Sequence, residues 1–66
     1  MSVIWTVTYR DEKGGLITHT YFTKTVAVWA YLSEARFAGG MDHSEVKIWR
    51  DTENYTSTLN KFLSKN

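Results

Sequence analysis

With no cysteine among its 66 residues, the chain can form neither a disulfide nor a thiolate metal site, the usual staples of small domains. Its core must suffice alone, in a chain long enough to bury only about 60% of the surface it exposes unfolded. There is room for one domain, read as a body over 1–50 and a tail over 51–66. No apolar run approaches the ~18 residues of a membrane span and no basic, apolar leader is seen at the start, so a soluble, cytoplasmic protein is expected. Nor is there a dominant charge: eight basic and seven acidic residues give a net +1, too little for the field of a duplex-binding protein and the wrong sign for a DNA mimic.

Chemical signatures are missing as well. His19 and His43, even with Asp42 or Glu45 nearby, lack the i, i+4 or CxxC-type spacing that marks a metal site, so no metal and no cofactor is expected. No G-x-S-x-G elbow is present, and so small a fold offers little concavity to shield a nucleophile. Gly14-Gly15 and Gly39-Gly40 are not followed by the lysine and helix start of a phosphate loop; they read as a hairpin turn and a helix stop. Asn54-Tyr55-Thr56 matches a glycosylation sequon, and with no leader seen the match is expected to be chance. The expectation is a non-enzyme.

What the chain does have is aromatic residues, 15% of the total, enough to supply much of a small core. The stretch Thr25 to Gly40 carries helical spacing: Ala27, Val28, Tyr31, Leu32, Ala35 and Ala38 share one arc, with Thr25 as cap and the glycine pair as stop. Val26, Trp29, Ala30 and Phe37 lie on the other side with Ser33 and Arg36, more apolar surface than a solvated face needs. Val3 to Arg10 alternates as a strand with Val3, Trp5, Val7 and Tyr9 on one side. Asp11 to Gly15 reads as a hairpin loop.

Leu16 to Thr23 forms the second strand, and a one-residue shift in the loop decides which of its faces points inward. The Leu16 and Phe22 face is expected inward, because burying His19 would demand a hydrogen-bond partner that the sequence does not identify. Glu45 to Arg50 supplies a third strand, with Val46 and Ile48 alternating against Glu45, Lys47 and Trp49. A right-handed crossover places it beside the first. The expected fold is α+β: a ββαβ body with a three-stranded antiparallel sheet in the order 3-1-2 and one helix on one face. A short C-terminal helix carries Tyr55, Leu59, Phe62 and Leu63, with Asp51, Thr52 or Asn54 available as its cap.

Two surfaces could then carry function. The edge of the third strand, with Lys47, Trp49 and Arg50, together with Trp29 and Phe37 on the helix, offers aromatic and arginine anchors for a protein partner. Alternatively Ile4, Tyr21 and Trp49 on the uncovered sheet face could stack bases while Arg10, Lys47 and Arg50 hold phosphates; the charge of +1 makes nucleic acid the lesser expectation. A tail laid over that face would remove this surface, and is weighted equally with exposure. Self-association through an edge strand, giving a small homodimer, is the third reading.

The layout from Ile4 to Arg50, with Trp5 in the first strand, Thr25 at the helix start and Glu45, Val46 and Arg50 in the last strand, resembles the small host RNA polymerase inhibitors of T7-like phages. That family contacts the polymerase through two arginines of the final strand; Arg50 falls on one such position and Ile48 stands at the other. The resemblance implies a compact phage-encoded protein, active in the host cytoplasm, that binds a host or defence enzyme stoichiometrically and disables it.

Overall fold

The computed structural model describes residues 3–11, 13–36 and 46–64. Its elements are β1 (Trp5–Arg10), β2 (Leu16–Tyr21), α1 (Lys24–Arg36), β3 (Lys47–Arg50), β4 (Glu53–Asn54) and α2 (Thr56–Leu63). The fold is a small α+β arrangement: an antiparallel sheet of four strands among the described residues, ordered β2-β1-β3-β4, with two helices. The expected 3-1-2 arrangement is contained in it, and a fourth short strand is added at the β3 side.

The β1–β2 hairpin is set by its turn. Gly14 N–H donates to the Asp11 carbonyl at 3.0 Å and Asp11 N–H to the Gly15 carbonyl at 2.9 Å, with Gly14 at φ +81°, a left-handed conformation that glycine adopts without strain. Asp11 Oδ1 also accepts the Lys13 and Gly15 amides at 2.9 and 2.7 Å. The resulting register pairs Arg10 with Leu16, Tyr9 with Ile17, Val7 with His19 and Trp5 with Tyr21.

That register overturns the expected orientation of the second strand. Cross-strand partners share a face, so Ile17, His19 and Tyr21 lie with Trp5, Val7 and Tyr9, and Leu16 lies on the other side, 62% exposed. Phe22, just beyond the strand, is 76% exposed. The physical objection to this orientation dissolves in two ways. His19 stays exposed at the rim, and the hydroxyl of Tyr9, two pairs along, meets its Nε2 at 3.3 Å.

The start of α1 also differs from expectation. Thr23, not Thr25, is the cap: its Oγ1 accepts the Val26 amide at 3.3 Å, and its carbonyl receives the first helical bond from Ala27 at 3.2 Å. Of the expected inner arc, Ala27 and Tyr31 are buried and Val28 and Leu32 pack partly against the core. Ala35 is exposed, and Ala30, assigned to the outer side, joins the core rim instead. Ala38 and the Gly39-Gly40 stop lie outside the described residues.

Among the described residues one core forms, from Trp5, Val7, Ala27, Tyr31, Val46, Ile48 and Leu59. Leu59 shows that α2 joins the α1 side of the sheet rather than crossing the opposite face. Its start is held from three directions. Tyr55 meets Trp5 edge to face at 5.2 Å and 86°, and Lys24 Nζ stands 5.4 Å from the centre of the Tyr55 ring. Asn54 Oδ1 accepts the Thr56 amide at 3.0 Å, although the residue at the cap position is Tyr55. Farther along, Asn60 Nδ2 donates to the Tyr31 hydroxyl at 3.0 Å, tying α2 to α1.

Candidate functional site

Alternation along β1 and β3 leaves Thr6, Thr8 and Arg10 beside Lys47 and Trp49 on the face away from the helices. The β1–β2 register adds Leu16, Thr18 and Thr20. The Trp49 indole is fixed against β1, its Nε1–H donating to Thr8 Oγ1 at 3.0 Å. Arg10 extends toward the hairpin, where Nη1 donates to the Gly14 carbonyl at 2.9 Å. Between them runs an open groove of about 240 Å³ lined by Thr8, Tyr9, Arg10, Leu16, Lys47 and Trp49. Two cations and an indole meet there, and none of the six side chains is acidic.

The sequence-expected residues divide unequally over this frame. Lys47, Trp49 and Arg10 come together on the bare face, and Ile4, 44% exposed, sits at its end through the Asp51 N–H to Ile4 carbonyl bond of 2.7 Å. Tyr21 does not join them: it pairs with Trp5 and packs against the core on the opposite face, so it cannot share a stacking platform with Trp49. Arg50, also paired with Trp5, has the parity of the helix-covered face and leaves the Lys47–Trp49 surface. Trp29, 71% exposed on α1, belongs to the other layer. Phe37 lies outside the described residues. Sequence reasoning missed Tyr9 and Leu16 as groove residues; a decision on the hairpin register would have placed Leu16 beside Arg10.

The β3 edge, expected to be free for a partner, is already occupied. β4 pairs with Trp49 and Arg50, the Ile48 amide donates to Thr56 Oγ1 at 3.0 Å, and the Ile48 carbonyl accepts the Tyr55 amide at 2.9 Å. Strand addition therefore cannot occur along this part of β3 without displacing the tail. The cause is the turn at Asp51, whose φ of +52° a short polar residue tolerates and whose Oδ1 accepts the Ile4 amide at 3.0 Å. It sends the chain back along β3.

A second cluster occupies the helix side of β1 and β2. The His19 ring lies 5.9 Å from Tyr9, nearly parallel at 29°, and 6.4 Å from Tyr21. Burial, then the charge and hydrogen bond of Glu34, hold the Tyr9 phenol above its ordinary pKa. These groups close the rim of the core. Among the described residues no three His, Cys, Asp or Glu side chains gather as metal ligands would; His43, Asp42 and Glu45 are not among them. No helix among the described residues is long and apolar enough to cross a membrane. Comparison with protein-family models, with characterised proteins and with solved structures found no match to this chain.

Proposed function

We propose that this chain is a non-enzymatic protein-binding module that holds its partner through the outer side of α1, with Trp29 as the anchor. The observation that carries this reading is the apolar surface folding leaves outside: Trp29 is 71% exposed and Val26, one turn earlier on the same helix face, 50%. A tryptophan surrounded by solvent contributes nothing to the core of so small a protein, whereas tryptophan is the commonest kind of interface anchor. The finer form of the reading, a phage-type stoichiometric inhibitor of a host or defence enzyme, is supported by the layout resemblance. Capture from a bacterial lysate by the immobilised chain, run beside Trp29→Ser, tests it. A protein retained by the parent and lost by the variant is expected; capture of no protein, or of the same proteins by both, would sink it.

A second reading, single-stranded nucleic-acid binding, is favoured by the groove that Arg10, Lys47 and Trp49 line together. The net charge of +1 ranks it below the first. Oligonucleotides at low salt should then quench a fluorescence component that Trp49→Phe removes, with affinity falling as salt rises at a slope of about −0.7 per phosphate contact. An unchanged spectrum at low salt eliminates it.

A further inference from the structure

The two edges of the sheet are protected very differently. β4 is two residues long and begins with Glu53, and both brevity and charge discourage a further strand. β2 is six residues long, Leu16-Ile17-Thr18-His19-Thr20-Tyr21, with no Asp, Glu, Lys, Arg, Pro or Gly, and among the described residues nothing pairs its outer side. The hairpin hydrogen bonds define which backbone groups face outward. Asp11 and Gly15 are bonded across the turn, so by antiparallel alternation the pairs Tyr9–Ile17, Val7–His19 and Trp5–Tyr21 exchange the ladder bonds with β1. The N–H and C=O groups of Leu16, Thr18 and Thr20 therefore point away from the sheet.

We propose that β2 is a homodimerisation edge, pairing antiparallel with β2 of a second copy about a twofold axis at His19. The register is selected by the chain itself. Centred on His19, Thr18 falls opposite Thr20 of the second copy, and these are outward-pointing residues on both sides, as an antiparallel ladder requires. In the same register Leu16 comes alongside Phe22 of the second copy, twice over, covering two of the most exposed apolar residues in the protein, 62% and 76%. On the helix side Ile17 meets Tyr21, both of them half-buried in the single chain. Moving the axis to Thr18 or Thr20 keeps the ladder parity but separates Leu16 from Phe22. A second copy is a better occupant than an unrelated charged peptide, because the strand has no charge to select one, and none to repel itself. On the bare face each row Thr6–Thr20 and Thr8–Thr18 would continue into the second copy, giving cross-strand threonine pairs. The inference does not rest on the Trp29 surface, which lies on α1.

Sedimentation equilibrium of the full chain from micromolar to about millimolar concentration should show a monomer–dimer equilibrium; a monomer throughout overturns the proposal. Thr18→Pro removes an outward N–H that makes no bond to β1, so the fold should survive. Dimerisation should weaken about thirtyfold, since the twofold axis removes two ordinary backbone bonds. Thr18→Lys, which leaves the backbone intact, should also weaken it and covers the case in which the proline variant fails to fold. The parent has no cysteine, so His19→Cys can form only an intermolecular disulfide. A non-bonded antiparallel pair places its Cα atoms about 4.5 Å apart, within disulfide reach. Rapid oxidation of His19→Cys to a covalent dimer is expected. If it oxidises no faster than a Lys13→Cys control, or if the dimer tolerates both Thr18 variants, the edge is not β2.

Discussion

On the helix side of the sheet Trp5, Val7 and Ile48 are 6%, 0% and 0% exposed. On the other side their neighbours in sequence, Thr6, Thr8 and Trp49, are only half-covered, and Lys47 and Arg10 stand in solvent. The same two strands, β1 and β3, build both surfaces, separated by the single-residue alternation of a pleated chain. One face receives α1 and α2 and carries the stability; the other receives neither. The lesson is that the tail, the element free to choose, went to the side already buried. Leu59 completes an existing core there, whereas the threonines opposite offer little apolar area to cover.

The helix side depends most on Ile48, which is fully buried. Ile48→Ala removes a fully buried side chain, with an expected loss of about 2–5 kcal/mol from a total of about 3–10 kcal/mol for a chain of this size. Urea unfolding should show a large fall in the midpoint, with the variant unfolded even without urea if the parent lies at the low end of that range; a loss under about 1 kcal/mol would mean that the helix side is not the core.

Thr56→Val tests how the tail is joined to that face. It keeps the shape but strips the acceptor from the Ile48 amide, 3.0 Å away, and leaves a part-buried donor unmatched, at about 1–3 kcal/mol. Hydrogen exchange should quicken at Ile48 and through α2 while β2 is unaffected. Exchange rising uniformly would contradict the idea that Thr56 is a local latch.

Alkaline pH acts at the rim of the helix side. Tyr9 has its folded pKa raised by burial and by Glu34, so the neutral phenol is favoured by folding. The associated stability is fully present below the unfolded value near pH 10 and is lost as pH rises through the folded one. Tyr9→Phe should flatten the stability curve above about pH 10 and leave its slope at neutral pH unchanged; an equally steep alkaline decline would remove Tyr9 from the account. The smallest effect belongs to the bare face. Thr20→Ala there should alter unfolding free energy by no more than about 0.5 kcal/mol, and a larger loss would show that the face is covered in the protein as it exists.

Legibility followed the range of the interactions. The strand character of 5–10, the α1 face holding Ala27 and Tyr31, and the order of three strands could be read because each depends on local periodicity or on a short-connection rule. The inward face of β2 was not legible, because in the sequence His19 is a group with no identifiable partner; the Tyr9 hydroxyl that meets it is ten residues away and becomes adjacent only after the strands pair. The groove was half legible. Lys47, Trp49 and Arg10 were grouped by alternation, but Tyr21 was carried along by the unresolved register. The free β3 edge was expected because nothing in Glu53-Asn54 announces a strand; two residues have no periodicity to detect.

Alternation by itself determined that each strand has two chemically different sides, and the hairpin glycine at 14 determined where the chain reverses, since both follow from backbone geometry within a few residues. Only the tertiary structure decided which of those sides is buried, that Thr56 and Tyr55 close the β3 edge at Ile48, and that β2 is left with its outer backbone groups unpaired among the described residues. Those outcomes depend on where α2 lands. Its position is fixed by Trp5 against Tyr55, Tyr31 against Asn60 and Leu59 in the shared core, contacts between residues up to 50 positions apart that no local pattern in the chain encodes.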